Sequence, residues 1–467
     1  MLVIFSDIHL TDESTSVNVH PKAFSEVLFP EIKLNAGSKN PTEINLILLG
    51  DIFDLVRTDY WLDKNLCDEN DRPWNGDLDP ATGMNSAVIV EEHYNKVCKR
   101  IFDTESGKAF IKMLNDVKGL TDKPVKVTYV VGNHDRAFNN FTSLQDIFKD
   151  ALGIERDKIL FLNEFSDEKY TVLCRHGQEY DEDNYGYELY KSMNNEKIIS
   201  QFDPKIYKVQ SIGEAVTCEL MSGIIKRLKD KYTNDDPFVT KMKDVNNVRP
   251  MTSAILWMYW MSSGLETGGK GKESQKNKGY QKSLLKAFRD SLHALLGTKL
   301  KDEWDNIKTD FLVTGDLTDK LSKLEYLIKN EDFGNLQSFV NVFETISNIW
   351  HKIKPGKDDL EEGAKKEFSF KINDDKQYLF MGHTHEALQS YYAARQNNFI
   401  KMYINTGTYL PFIQQAQNGK DFAAAHLMTM AFVYNTEEDY DEKEGVKIYN
   451  NFPTLDLWNG IKKKEYK

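Results

Sequence analysis

Cysteine and long apolar runs are scarce in this 467-residue chain, and basic residues are not in excess. The four cysteines show no paired close spacing, so neither a disulfide framework nor a zinc knuckle is indicated, and reduced thiols fit a cytoplasmic protein. The apolar run 254–261 is far shorter than the roughly 20 residues of a membrane-spanning helix. The apolar start turns polar at Ser6, too early for a signal-peptide core. We therefore expect a cytoplasmic protein with no membrane partner.

The charge balance is acidic. Asp and Glu number 72 against 60 Lys and Arg, and the formal net charge is −12. Nucleic acids and anionic membranes bind basic surfaces, so this balance argues against a general nucleic-acid binder and leaves a local positive site open. With 40% hydrophobic and 28% charged residues, the composition is that of a globular protein.

Five short apolar runs each end in a polar cluster that contains Asp, Asn or His. The runs are Leu2–Phe5, Ile44–Leu49, Val125–Val131, Tyr170–Cys174 and Tyr378–Met381. Such runs predict strands buried on both faces, and the helical patterns at 23–34 and 87–117 between them predict an α/β fold with a largely parallel sheet. Because ligands gather at the carboxyl ends of such strands, the polar clusters predict the functional site.

A different pattern, long, charged and mostly helical, occupies residues 181–371. We interpret 1–180 and 372–467 as a core and 181–371 as an insertion that caps the site. Within the insertion, the Gly, Ser, Lys and Gln content of residues 262–282 predicts a mobile loop.

Seven residues of the polar clusters are potential metal ligands: Asp7, His9, Asp51, Asn133, His176, His383 and His385. In extended backbone, residues two apart point the same way, which would pair Asp7 with His9 and His383 with His385. Mixed imidazole, carboxylate and amide donors favour two borderline divalent ions over one structural zinc.

In chain order, the motifs Asp-x-His, Gly-Asp-x-x-Asp, Gly-Asn-His-Asp, His-Gly and Gly-His-Thr-His resemble those of the calcineurin-like metallophosphoesterase superfamily. Residues 405–408, which follow the predicted strand Met402–Ile404, resemble the last core strand of that family. The resemblance implies a metallophosphatase-type β-sandwich of two mixed sheets flanked by helices. It also implies hydrolysis of phosphate esters.

The resemblance further implies a role for each motif residue. One metal would be held by Asp7, His9 and His385, the other by Asn133, His176 and His383, with Asp51 bridging the two through its two oxygens. The expected metal is Mn²⁺, with Fe, Zn, Co or Ni as alternatives. A bridging hydroxide would be the nucleophile. His134 would be the general acid, oriented by Asp54.

Charge and motif details narrow the substrate class. Two divalent ions with Asp7 and Asp51 leave a charge of about +2, or +1 with hydroxide, which suits a phosphorylated small molecule or a phosphodiester. Leu55 and Asp135 stand where the Ser/Thr protein-phosphatase branch has Arg and Glu, which disfavours that branch. The alternatives are a phosphodiesterase or nuclease of the same superfamily, for which the acidity is unfavourable, and a non-catalytic scaffold that binds a partner through the insertion.

A second Gly-Asp-x-x-Asp stands at residues 315–319, after the apolar run 311–314. Its Asp316 could be the bridging residue, in which case Asp51 would be structural. The family order favours Asp51, because the bridging aspartate precedes Gly-Asn-His.

Overall fold

The computed structural model describes residues 1–39, 41–120, 122–249, 253–263, 272–307, 359–393, 400–417, 421–443 and 446–464. Its strands are β1 (Leu2–Phe5), β2 (Ile44–Leu49), β3 (Val125–Val130), β4 (Ile159–Leu162), β5 (Glu164–Asp167), β6 (Val172–Arg175), β7 (Val248–Arg249), β8 (Tyr378–Met381), β9 (Ala387–Ala393), β10 (Ile400–Thr406), β11 (Pro411–Gln415), β12 (Phe422–Tyr434), β13 (Tyr440–Lys443), β14 (Val446–Tyr449) and β15 (Thr454–Lys464).

The α-helices are α1 (Phe29–Ser38), α2 (Ile89–Asp103), α3 (Glu105–Lys118), α4 (Thr142–Ala151), α5 (Tyr187–Asn194), α6 (Ile212–Ala215), α7 (Gly223–Lys231), α8 (Pro237–Met242), α9 (Ala254–Ser263), α10 (Lys272–Leu296), α11 (Lys299–Asp305) and α12 (Asp359–Ser369). Two π-helical segments, Phe24–Leu28 and Val216–Ser222, lead into α1 and α7. Within the described ranges, no helix combines the length and the apolar character needed to cross a bilayer.

The strands form two mixed sheets and a hairpin. The larger sheet has the order β4-β3-β2-β1-β12-β11-β7, with β15 also paired to β12. In it, β1 to β4 are parallel, and β12 runs antiparallel to β1. The smaller sheet has the order β5-β6-β8-β10-β9, in which β6, β8 and β10 are parallel. Strands β13 and β14 form the hairpin. The expected α/β architecture with two mixed sheets is therefore present.

Alternating side chains bury both faces of the central strands. In β1, Ile4 joins an apolar cluster with Phe380 of the smaller sheet, so the two sheets pack face to face. Phe5 points the other way, into the cluster formed with the helices. On the outer face of the smaller sheet, Leu379 packs with Leu360 of α12. Burial on both faces explains why these strands are continuous apolar runs.

Two local predictions were wrong. The helix expected over 87–117 is divided into α2 and α3 at Thr104, whose backbone is extended and whose hydroxyl accepts a hydrogen bond from the Gly107 N–H at 3.0 Å. The loop expected over 262–282 is helical from Lys272 onward, because α10 begins there.

The insertion continues the core sheet. Its strand β7 pairs in parallel with β11, in the register Ile413 to Val248 and Gln414 to Arg249. Leu189 and Ile224 of its helices belong to the same apolar cluster as Phe5. The second Gly-Asp-x-x-Asp motif, at 315–319, lies outside the described residues.

Candidate metal centre

All nine residues predicted for the site follow the carboxyl ends of five strands. Asp7 and His9 follow β1, Asp51 and Asp54 follow β2, Asn133 and His134 follow β3, His176 follows β6, and His383 and His385 follow β8. Their ligand atoms form three groups, each within 4.8 Å: Asp7, His9 and His385; His9, Asp54 and His134; Asp51, His176 and His383. Asn133 contacts His383, so the structure brings all nine together.

The backbone at five of these residues is left-handed. The φ angles are 50° at Asp7, 48° at His9, 53° at Asp51, 70° at His383 and 64° at His385. Such angles cost about 1–3 kcal/mol each in a non-glycine residue and concentrate at functional sites. Here the turns are held together by backbone hydrogen bonds, from Asp7 N–H to Gly50 O at 3.0 Å and from His9 N–H to Asp51 O at 2.9 Å. The expectation that extended backbone pairs Asp7 with His9 was therefore wrong, because paired turns orient them.

Two glycines of the motifs allow the carboxylates to approach the backbone. A Cβ at Gly132 would lie 2.3 Å from Oδ1 of Asp51, and one at Gly382 would lie 2.2 Å from Oδ2 of Asp7. Neither position has room for a side chain. Steric exclusion of a side chain thus explains why glycine begins the motifs Gly-Asn-His-Asp and Gly-His-Thr-His.

The first ligand group is compact. Nε2 of His9 lies 2.8 Å from Nε2 of His385, and each of these nitrogens lies 3.6 Å from Oδ1 of Asp7. A point equidistant from the three atoms lies roughly 2 Å from each, the usual bond length from nitrogen or oxygen to a divalent transition metal. Asp7 and His9 are fully buried, and His385 is 3% exposed. The three residues therefore fit one cation.

The second group contains a buried nitrogen that lacks a hydrogen-bond partner. His176 donates from Nδ1 to the carbonyl of Leu49 at 2.8 Å, so Nε2 is the nitrogen that carries the lone pair whenever the ring is neutral. Among the described residues Nε2 has no hydrogen-bond partner, and it lies 3.2 Å from Oδ2 of Asp51. Nδ1 of His383 lies 3.0 Å from Oδ1 of Asn133. A cation among these acceptor atoms would satisfy all of them.

A single carboxylate oxygen of Asp51 faces both ligand groups. Its Oδ1 accepts the backbone N–H of His134 at 2.8 Å. Its Oδ2 lies 3.2 Å from Nε2 of His176 and 3.7 Å from Nε2 of His9. Oδ2 is therefore the oxygen of Asp51 that faces both groups, and a bridge through both oxygens stays a prediction.

Asp54 orients two histidines at once. Its Oδ1 accepts the backbone N–H of Arg57 at 2.9 Å, which leaves Oδ2 for side chains. Oδ2 lies 3.0 Å from Nδ1 of His9 and 3.0 Å from Nδ1 of His134, the latter without the alignment of a hydrogen bond. The His9 and His134 rings are 4.8 Å apart at 84°. His134 thus lies beside the first ligand group, and its side chain is 12% exposed.

The buried carboxylates give the site a negative potential. Burial opposes the charged form of His176, but Asp51 outweighs it and raises the pKa of His176 to about 10. The pKa of His134 is raised in the same way, against burial, by Asp54 and then Asp51. Burial and then the charge of Arg249 hold the pKa of His385 well below its usual value, so this ring is neutral and able to bind a metal.

Sequence reasoning missed two residues of the site. Oδ2 of Asp181 accepts from Nε2 of His383 at 2.9 Å, and this bond lowers the pKa of Asp181 to about 2 against the effect of burial. Arg249 donates from Nη2 to Nδ1 of His385 at 2.7 Å. Asp181 follows His176 by five residues, so its place after the His-Gly motif was a usable signal. Arg249 lies in the insertion and carried no local signal.

The donor set fits two metal ions, because each group offers nitrogen and oxygen acceptors that are buried and close together. Searches among protein-family models, curated proteins and solved structures found no match to this chain, so a functional assignment has to come from the site itself.

Proposed function

We propose that this protein is a metal-dependent hydrolase of phosphate esters with the metallophosphatase-type β-sandwich fold. The observation that carries the proposal is the position of Asp51 Oδ2 between two separate groups of buried Asp and His ligands. Two such groups sharing one carboxylate are typical of two-metal hydrolases. The motif resemblance points in the same direction independently of these distances.

The protein would bind each ion through the residues of one group. Asp7, His9 and His385 would hold the first, and Asn133, His176 and His383 the second, with Asp51 shared. Two divalent ions bound there would supply Lewis-acid charge and a hydroxide at neutral pH. Imidazole with carboxylate and amide oxygen suits Mn²⁺, and also Fe, Zn, Co or Ni.

His134 would supply the proton that the leaving oxygen needs. Its ring is next to His9 and partly open to solvent, and Asp54 stabilises its protonated form. A positioned general acid typically contributes about 10²–10⁴-fold to the rate. Asp54 would in turn keep His9 and His134 in fixed orientations.

Hydrolysis of p-nitrophenyl phosphate and bis-p-nitrophenyl phosphate by protein reconstituted with Mn²⁺ tests the proposal. We expect turnover of at least one ester and its loss after treatment with a chelator. Turnover of the diester alone would favour the phosphodiesterase alternative. No turnover of either ester at two equivalents of bound metal would contradict the proposal and favour a non-catalytic scaffold.

A further inference from the structure

Within the described ranges, Arg249 lacks the carboxylate partner that three other arginines of the buried regions have. Arg72, Arg136 and Arg175 are each paired with a glutamate, at distances of 2.6–2.8 Å. Among the described residues, the Arg249 guanidinium hydrogen-bonds to the carbonyls of Asn246 and Val248 and to the ring of His385, and no carboxylate pairs with it. Arg249 as a whole residue is half-buried.

A second under-paired arginine, Arg57, lies beside Asp54, which contacts His9 of the first ligand group. Arg57 is 2% exposed, and among the described residues its buried Nη1 has no hydrogen-bond partner. Its Nε lies 3.0 Å from Oδ2 of Asp54, an oxygen that His9 and His134 share. The Asp54 carboxylate is therefore shared by Arg57, His9 and His134. The Arg57 guanidinium retains donors for another acceptor.

Both guanidinium groups border the first ligand group. Arg249 contacts His385, and Arg57 contacts Asp54, whose Oδ2 also lies 3.0 Å from Nδ1 of His9. An anion bound next to His9 and His385 would therefore have guanidinium donors beside it.

Binding of a metal by His385 would leave Arg249 without its present acceptor. If Nε2 of a neutral His385 ring is a metal ligand, the proton is on Nδ1, where it faces the Arg249 donor. The guanidinium then needs a different acceptor. The described part of the chain offers it no carboxylate, whereas a phosphate oxygen suits the planar donors of arginine.

We propose that Arg57 and Arg249 form an anion subsite beside the metal centre, which binds the phosphate group of the substrate and selects dianionic monoesters over monoanionic diesters. This inference rests on the proposed function for its substrate. Asp54 balances one of the two arginine charges, so the pair adds about one positive charge to the site. That extra charge favours a terminal phosphate, which carries two negative charges near neutral pH. Arg249 would thus be the contribution of the insertion to specificity.

Calorimetric titration of inorganic phosphate into the Mn²⁺-loaded protein tests the subsite without turnover. We expect R57Q and R249Q each to weaken phosphate binding about 10-fold or more, since hydrogen bonds to charged groups contribute about 1.5–3 kcal/mol. R249K, which keeps the charge and loses the planar donors, should lie between wild type and R249Q. The control R156Q changes an exposed arginine at the amino end of β4, away from the site, and should bind phosphate as wild type does.

Elemental analysis and the two nitrophenyl esters complete the experiment. R249Q should keep two equivalents of Mn²⁺ and lose about 10–100-fold in kcat/KM on the monoester, with a smaller loss on the diester. Unchanged phosphate affinity in R57Q and R249Q, or loss of metal in R249Q, would overturn the subsite. Equal losses on both esters would overturn the selection of monoesters. If wild type binds phosphate through the arginines yet hydrolyses neither ester, the subsite stands and the proposed function fails.

Discussion

Oδ2 of Asp54 lies 3.0 Å from Nδ1 of His134. The same oxygen lies 3.0 Å from Nδ1 of His9, a residue of the first ligand group. One buried carboxylate therefore links the candidate general acid to the candidate metal centre. In metal sites such carboxylates determine the tautomer and orientation of the histidines that they contact.

Replacement of His134 should separate catalysis from metal binding. Because His134 belongs to neither of the two proposed ion-binding sets, H134A should retain two equivalents of Mn²⁺ and lose about 10²–10⁴-fold in kcat. Elemental analysis and steady-state kinetics on the same preparation measure both. Parallel losses of metal and activity would show that His134 acts as a ligand, contrary to its assignment.

The number of bound metal ions should depend on both ligand groups, with one ion for each group. Wild-type protein should bind two equivalents, H176A about one, and D51A fewer than wild type, because Oδ2 of Asp51 faces both groups. D316A is the matched control, since its motif repeats that of Asp51 and it should retain both ions. Metal loss in D316A with normal content in D51A would reverse the assignment of the bridging residue.

Asp181 should increase metal affinity through His383. The hydrogen bond of 2.9 Å from Nε2 of His383 keeps Nδ1 free for a metal, and removal of such a partner typically costs 10–100-fold in affinity. D181N should therefore weaken Mn²⁺ binding by about that factor, measured by competition with a chelating dye. E182Q removes an exposed charge one residue away and should have little effect. Equal affinities in the two variants would count against the role of Asp181.

Asp59 of the core contacts Lys229 of the insertion, and we expect acid to weaken this contact. Burial raises its pKa, but the hydrogen bond of 2.6 Å from Lys229 of α7 outweighs this, and the net pKa is lowered. A carboxylate with a lowered folded pKa contributes stability above its unfolded pKa of about 3.9, and this contribution is lost as pH falls through the folded value.

D59N should accordingly have a lower Tm than wild type at pH 7, by a few degrees, and the difference should shrink below about pH 4. Thermal unfolding followed by circular dichroism at both pH values measures it. D157N, on the exposed turn before β4, is the control for removal of a surface charge. A Tm difference that is the same at both pH values would contradict the assigned contact.

Local patterns predicted the elements that surround the site. The observed β1, β2 and β8 have the predicted bounds, because short apolar runs with a polar cluster behind them are a local signal for buried strands. The break at Thr104 was missed, although a threonine that caps a helix is also a local signal. The nine predicted site residues follow strands that are parallel within each of the two sheets, so each sheet brings the carboxyl ends of its own strands together.

The sequence contains no local pattern that predicts the contacts between distant segments. Asp181 and His383 are 202 residues apart, and Arg249 and His385 are 136 apart, so the spacing between them indicates nothing about their contact. Arg249 reaches His385 because β7 of the insertion pairs with β11 of the core sheet. Neither the period of two residues that indicates a strand nor the period of three to four that indicates a helix encodes the pairing of β7 with β11.

The amino-acid sequence by itself determined the strands, the order of the polar clusters and the types of ligand, since these depend on side-chain alternation and turn chemistry within a few residues. Tertiary structure alone decided that Asp7 and His9 adopt left-handed backbone and that Oδ2 of Asp51 faces both ligand groups. It also decided that Arg57 and Arg249 border the site. These features depend on the packing of two sheets and an inserted strand against one another, and that packing is a property of the whole chain.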